Sequence, residues 1–221
     1  MTWERFWELN VVEWANTPFN FLKFNYLIEE IDKLSRTKTI YPAKENIFKA
    51  FRLTSPSQLK IVLLGQDVYH DRNRATGLSF GNFNEDERSV SPSLKIVWNC
   101  IEREFYNGLC LNFDYSLESW AKQGVLMLNT ALTVEANKPG AHIELWSLFT
   151  NDLIQFINKE YPDTIFILWG KYAEKYEPFC NNVLKYVHPA YALYSKTKWN
   201  CDNFKEANDI LLKQGKEPIK W

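Results

Sequence analysis

The sequence predicts an α/β fold: a single domain over residues 1–221, built as three layers with helices on both faces of a central four-stranded, mostly parallel sheet. Three observations predict it. Four short apolar segments, 59–65, 124–130, 164–170 and 183–188, each run into polar or Gly-Pro punctuation. The stretches between them are long enough for helices. The chain has 221 residues of which 46% are hydrophobic, enough for one sizeable core. Strands buried on both faces read as unbroken apolar runs, and parallel neighbours need helical crossovers.

Taken in order, residues 3–15 and 18–34 read as amphipathic helices, the first with Trp3, Phe6 or Trp7, and Val11 or Trp14 on a recurring face. YPAKENIFKAF (41–51) opens on a proline-marked turn and continues into a short helix. LKIVLLG (59–65) is the first buried strand, and PSLKIVWNCIEREFY (92–106) a helix that starts on a proline. GVLMLNT (124–130) is the second strand, LWSLFTNDLIQFINKEY (145–161) a helix and TIFILWG (164–170) the third strand. YAEKYEPFCNNV (172–183) reads as a helix, VLKYVH (183–188) as the fourth strand and FKEANDILLKQG (204–215) as a final helix ended by Gly215. Aromatic residues make up 16% of the chain, so the core is expected to be rich in rings, a few of which could line a pocket for a flat ligand.

Composition excludes several function classes. A net charge of −1 excludes a strongly basic, non-specific DNA coat but leaves room for a small basic mouth. Cys100, Cys110, Cys180 and Cys201 are widely spread with no CxxC spacing, which reads as reduced thiols in a cytoplasmic protein. MTWERFWELN has no signal-peptide pattern, and no apolar run approaches the ~20 residues of a membrane span. GxSxG, P-loop and GxGxxG motifs are absent. With three histidines and no HExxH, neither a metal centre nor a cofactor is expected.

The chemistry collects at the strand ends. The four segments end in Gln66-Asp67-Val68-Tyr69-His70, Asn129-Thr130, Trp169-Gly170-Lys171 and His188-Pro189. If the strands are parallel neighbours, an acid, two histidines, an amide and a lysine converge on the edge where open α/β sheets bind ligands. Each of these residues alone has a structural explanation, as a turn cap or a satisfied buried side chain. Four such accidents on four strand ends are improbable. An acid, an amide and histidines around an aromatic-walled slot suit hydrolysis at a group that departs as a stabilised anion.

At these residues the chain resembles the family 1 uracil-DNA glycosylases. The family's GQDPYH motif reads GQDVYH (65–70) here, followed by GLSF (77–80). LMLNT (126–130) with LTV (132–134), LWG (168–170) and HPAYA (188–192) continue the family order. So do YPAKENIFKAF, SPSL (91–94), His142 with Trp146, and the ending KEPIKW. The resemblance covers nearly the whole chain. It implies excision of uracil from DNA by a monofunctional N-glycosylase with no cofactor, acting as a monomer on single- or double-stranded DNA and open to a proteinaceous inhibitor. Carried over, Asp67 orients the attacking water and His70 helps to hold it. His188 bonds uracil O2 as negative charge grows, Asn129 reads the base edge, Phe80 stacks on the base, and Tyr69 excludes the thymine methyl. Gln66 adds backbone contacts to the base. DNA contacts fall on Ser91, Ser93, Lys171, Ala190, Tyr191 and Leu193, with Gly170 and the 188–198 loop, while Lys196 and Lys198 can add a local cationic patch. Backbone N–H groups and hydroxyls can grip phosphates without high net charge.

The sequence also departs from the family. Val68 stands in place of the motif proline, which frees φ and adds a backbone N–H. Ala190 replaces a serine, Tyr191 a proline, and Ala192 the leucine wedge, with Leu193 or a flanking tyrosine left to fill the gap. These changes keep a second reading open, a uracil-recognising or DNA-binding protein with little catalysis. A third, a small-molecule hydrolase of similar fold, would process free nucleosides and not DNA.

Overall fold

The structure is a computed structural model and describes residues 2–83, 90–109 and 112–221. Helices α1 (Trp3–Val11) and α2 (Asn25–Ser35) precede a short strand β1 (Ile40–Tyr41) and helix α3 (Lys49–Leu53). Strand β2 (Ile61–Asp67) leads to α4 (Pro92–Phe105) and α5 (Glu118–Lys122), then to β3 (Val125–Ala131) and β4 (Val134–Glu135). Helix α6 (Ile143–Glu160), β5 (Ile165–Trp169), α7 (Lys171–Glu174), β6 (Asn182–Tyr186), α8 (Ala190–Ser195) and α9 (Asn203–Lys213) complete the order.

The predicted sheet forms, and it is parallel throughout, in the order β3-β2-β5-β6. Ile61–Leu64 of β2 are fully buried because β3 and β5 flank them and helices cover both faces. Helices α3, α5 and α6 pack on β3, α7 on β2 and β5, and α9 on β6. One register relation positions the chemistry: Gly65 of β2 lies opposite Asn129 of β3, and Asp67 opposite Ala131. The fourth strand differs from the fully buried segment the sequence suggests. It is the sheet edge, and its residues are half-buried or exposed.

Most of the aromatic residues are core. One cluster joins Trp7, Phe21, Phe48, Phe51, Trp146 and Phe149 under α1, α3 and α6. A second joins Trp120, Trp169, Trp199, Phe204 and Trp221 under α9. Each fully buried ring contributes about 2–3 kcal/mol, so these clusters carry much of the stability that holds the sheet edge in place.

Several predicted helices are shorter than their apolar pattern. The first stops at Val11, because Val12 takes φ 47° and the chain continues as a 3-10 turn over Val12–Asn16. The second begins with a 3-10 turn over Phe21–Phe24 and is α-helical only over Asn25–Ser35. The 172–183 helix is broken: α7 is four residues long, and Pro178 sits in a separate 3-10 turn over Glu177–Phe179. Helix α5 and the antiparallel pair β1–β4 were not anticipated. Among the described residues no helix is long and apolar enough to cross a membrane. Cys100, Cys180 and Cys201 are free thiols, and Cys110 lies outside the described residues.

Candidate active site

A cavity of about 320 Å³ opens at the carboxyl end of the sheet. One side is formed by Gly65, Gln66, Asp67 and His70, which β2 delivers as it ends. Tyr69, Phe80, Ser93, Asn129, Pro139, His188 and Ala190 line the rest of it. Three parallel strands bring Asp67, His70, Asn129 and His188 to one cavity, whereas Lys171, the lysine expected with them, does not line it.

Asp67 is the last residue of β2. Its Oδ2 accepts a hydrogen bond from the Gly140 N–H at 2.5 Å. Burial raises its pKa above the ordinary carboxylate value, partly offset by that bond and by the nearby His70. The turn that carries Gly140 is tied to the same segment again, since the Asn137 N–H donates to the His70 carbonyl at 3.1 Å. The far end of the turn is anchored in the core. Trp146 Nε1–H donates to Thr133 Oγ1 at 2.8 Å, and that hydroxyl pairs with His142 Nδ1 at 2.9 Å. Sequence reading did not find Gly140, because a backbone donor leaves no side-chain signal.

Asn129 is 2% exposed and lies over Gly65. A Cβ at residue 65 would stand 2.5 Å from Asn129 Oδ1 and 3.1 Å from Ser79 Cβ, so only glycine leaves the amide its place. The Gln66 carbonyl accepts from the Thr130 hydroxyl, which holds β2 against β3 just before Asp67.

His188 follows the edge strand, and its imidazole is oriented by the main chain. The Ala190 N–H donates to its Nδ1 at 3.1 Å. A ring nitrogen that accepts carries no proton, so in the neutral ring Nε2 is the N–H donor. Burial lowers the His188 pKa, which favours that neutral form. Gly170 allows the close approach, since a Cβ there would lie 2.8 Å from His188 Cβ. The ring also lies 5.6 Å from Phe80, tilted by 34°.

Phe80 holds a left-handed backbone, φ 61°, which costs of order 1–3 kcal/mol in a non-glycine residue. Its ring meets Trp169 edge-on at 5.2 Å, so the core holds it despite that cost. Tyr69 forms the adjacent wall. Its hydroxyl lies 2.6 Å from Ser91 Oγ, and burial pushes its pKa up to about 12, so it stays neutral.

Two expectations about the DNA-facing residues are corrected. Ser91 is 1% exposed and its hydroxyl accepts the Leu94 N–H as the N-cap of α4, so it presents no face to a phosphate. The 188–198 loop is helical over Ala190–Ser195, because Ala-Tyr-Ala-Leu favours helix once no second proline interrupts it. That helix buries Ala192, at 7% exposure, and turns Tyr191, Leu193 and Tyr194 outward at 56%, 46% and 85%. Ser93 and Ala190 are half-buried and line the cavity, and Lys171 is exposed at the start of α7. Lys196 and Lys198 are exposed just beyond α8. Among the described residues no group of three His, Cys, Asp or Glu side chains is placed to hold a metal ion.

A family model described as the uracil DNA glycosylase superfamily matches residues 51–212. A protein named uracil-DNA glycosylase from Fusobacterium nucleatum is 39% identical over 204 residues, covering 90% of this chain and 88% of its own. One of the same name from Campylobacter lari is 37% identical over 225 residues, covering 100% of this chain and 93% of its own. Among solved structures, mimivirus uracil-DNA glycosylase superposes with a TM-score of 0.79 at 25% identity, covering 98% of this chain and 86% of that one. A variant of the mimivirus enzyme in complex with UGI superposes with a TM-score of 0.80 at 24% identity, covering 100% and 88%.

Proposed function

Since the chain belongs to the uracil DNA glycosylase superfamily, we propose that Asp67, His70, Asn129 and His188 are the residues with which it acts on DNA. The protein is a uracil-DNA glycosylase, a monofunctional hydrolase of the N-glycosidic bond that serves DNA repair. The observation that carries the assignment of roles is the meeting of an acid, an amide and a neutral histidine in one cavity walled by Tyr69 and Phe80.

Uracil enters that cavity only after it leaves the base stack. Phe80 offers its face to the base, and the Asn129 amide pairs with uracil O4 and N3–H together, a combination cytosine lacks. Tyr69 fills the space that a thymine methyl requires. His188 then donates from Nε2 to uracil O2, where negative charge gathers as the bond to the sugar breaks. A preorganised donor of this kind contributes about 10²–10³ in rate.

Asp67 serves the sugar side. Its carboxylate favours the positive charge that develops at C1′ and orients a water. His70 Nδ1 is buried and has no protein partner among the described residues, which leaves it able to bond the same water. The water oxygen bonds C1′, its proton passes through Asp67 to solvent, and uracil leaves as an anion that solvent protonates. The product DNA carries an abasic site.

Leu193 is the proposed wedge for the gap in a duplex, flanked by Tyr191, with Ser93, Lys171 and Ala190 along the phosphates. A protein inhibitor of the kind seen on the mimivirus enzyme is a proposed partner for the same face. A monomer is proposed as the acting form. A DNA substrate supports a cytoplasmic location.

The deciding experiment is uracil excision on matched single-stranded and duplex oligonucleotides. Abasic sites formed by the wild type and abolished by Asp67→Asn are expected. If uracil-containing single strands stay intact, the reading gives way to one of binding without catalysis.

A further inference from the structure

Besides its carbonyl, which accepts the Lys95 N–H at 3.0 Å, Ser91 makes three further contacts. Its N–H donates to Asn82 Oδ1 at 3.1 Å, its hydroxyl accepts the Leu94 N–H at 3.1 Å, and the same hydroxyl lies 2.6 Å from the Tyr69 hydroxyl. Capping the helix requires only the second of these. The third reaches out of the helix and grips the phenol end of a cavity wall. We propose that Ser91 is a positioning residue for base selectivity, holding the Tyr69 ring where it blocks a substituent at C5 of the base. This rests on the reading of Tyr69 as the wall against the thymine methyl.

The need for a second anchor begins at the other end of the ring. Tyr69 leaves the main chain just beyond β2, next to Val68, whose φ no proline ring locks. A phenol ring anchored only through its Cβ can swing by a fraction of an ångström at its far end. Rejecting one methyl group needs a wall held to within about 0.5 Å. The hydroxyl bond supplies the second anchor. It leads to the first turn of α4, whose Leu94, Val97 and Ile101 are fully buried in the core.

The same bond couples two walls. The Tyr69 hydroxyl also approaches the Phe80 carbonyl at 3.5 Å, a long and weak contact beside the 2.6 Å link to Ser91. A carbonyl only accepts, so a hydroxyl that donates to Phe80 must receive its proton bond from Ser91. In that arrangement one chain of donors runs from the α4 N-terminus through Ser91 and Tyr69 to the backbone of the stacking ring. Loss of the serine hydroxyl would therefore loosen the gate and disturb the platform in the same direction, toward a more permissive slot.

The test measures kcat/KM on single-stranded oligonucleotides carrying uracil, 5-fluorouracil or thymine, for wild type, Ser91→Ala, Tyr69→Phe, their double variant and Tyr69→Ala. Tyr69→Phe keeps the ring and the helix cap and removes the hydroxyl, with its link to Ser91 and its weak contact to the Phe80 carbonyl, so it decides the matter if Ser91→Ala folds poorly. Discrimination between uracil and the 5-substituted bases is expected to fall about tenfold in each single variant and no further in the double, as two ends of one interaction behave. If Ser91→Ala and Tyr69→Phe slow all substrates by one common factor, Ser91 is a helix cap and nothing more. If Tyr69→Ala itself leaves the discrimination intact, the wall reading fails and takes this inference with it. Relaxed selectivity in Tyr69→Ala alone overturns only the role of Ser91.

Discussion

Gly65 and Asn129 stand opposite each other in the register of β2 and β3, and a Cβ at residue 65 would lie 2.5 Å from Asn129 Oδ1. The amide proposed to read the base thus occupies the volume that a side chain on the neighbouring strand would take. Gly65→Ala is expected to displace the amide and lower kcat/KM for uracil by roughly 30–150-fold, equivalent to about 2–3 kcal/mol of lost hydrogen bonding. Steady-state kinetics check it. Wild-type kcat/KM in this variant would mean that Asn129 can shift without penalty.

Ionising Asp67 carries a cost. Its folded-state pKa is raised, first by burial, so the folded protein prefers the protonated form more than the unfolded chain does. The sign follows. Above the raised pKa the ionised carboxylate destabilises the fold, and the penalty disappears as pH falls below the ordinary carboxylate value. Asp67→Asn is expected to abolish excision and raise the melting temperature at pH 7, by about 2–4 °C for each kcal/mol relieved. The difference between variant and wild type shrinks in melts at pH 4. A variant that melts below wild type at pH 7 contradicts the account.

The acid limb of the activity profile has the same origin. With ionised Asp67 as the proposed water-orienting group, kcat/KM is expected to fall with decreasing pH at a higher pH than an ordinary carboxylate would give. His70 faces this carboxyl and favours its charge, so His70→Ala is expected to move the limb further up. A pH series of single-turnover rates reads both shifts.

His188 is expected to be a neutral Nε2–H tautomer. Its Nδ1 is occupied by the Ala190 N–H, and burial lowers its pKa. Long-range ¹H–¹⁵N spectra are expected to show one protonated ring nitrogen at pH 7, with the second proton taken up at a lower pH than in a free imidazole. His188→Gln is expected to cost about 10²–10³ in kcat. A histidine already doubly protonated at pH 7 would require a different account of how charge on the leaving base is met.

Helix α8 buries the position of the missing leucine wedge and exposes the residue next to it. Ala192 is buried at 7% exposure and Leu193 is 46% exposed, so Leu193→Ala is expected to reduce duplex excision about tenfold and single-strand excision much less. Unstacking costs a few kcal/mol only in the duplex. Equal losses on both substrates would place the wedge with Tyr191 or Tyr194.

The strands and their carboxyl-end residues were legible because a parallel sheet leaves unmistakable apolar runs. IVLL, LMLN and IFIL are buried on both faces and carry no polar alternation. Asp67, Asn129 and His188 then followed from where those runs stop. The edge strand was read as more buried than it is, since VLKYV differs little from a central strand until its neighbours are known. Helix α8 was read as a loop, because six residues beside a His-Pro pair carry no periodicity long enough to detect. Ser91 was read as a phosphate contact, because the sequence shows a hydroxyl near a site and not which way it faces.

By itself the sequence determined the sheet, its order of apolar segments, the family, and the polar groups that reach the cavity, since all of these are carried by local pattern and by motifs in order. The tertiary structure alone decided what each group is bound to. It placed the Gly140 N–H on Asp67, the Ala190 N–H on His188 and the Ser91 hydroxyl on Tyr69. Those partners are 73, 2 and 22 residues away. A hydrogen bond depends on position and direction in space, and a chain fixes these only when its distant segments pack together.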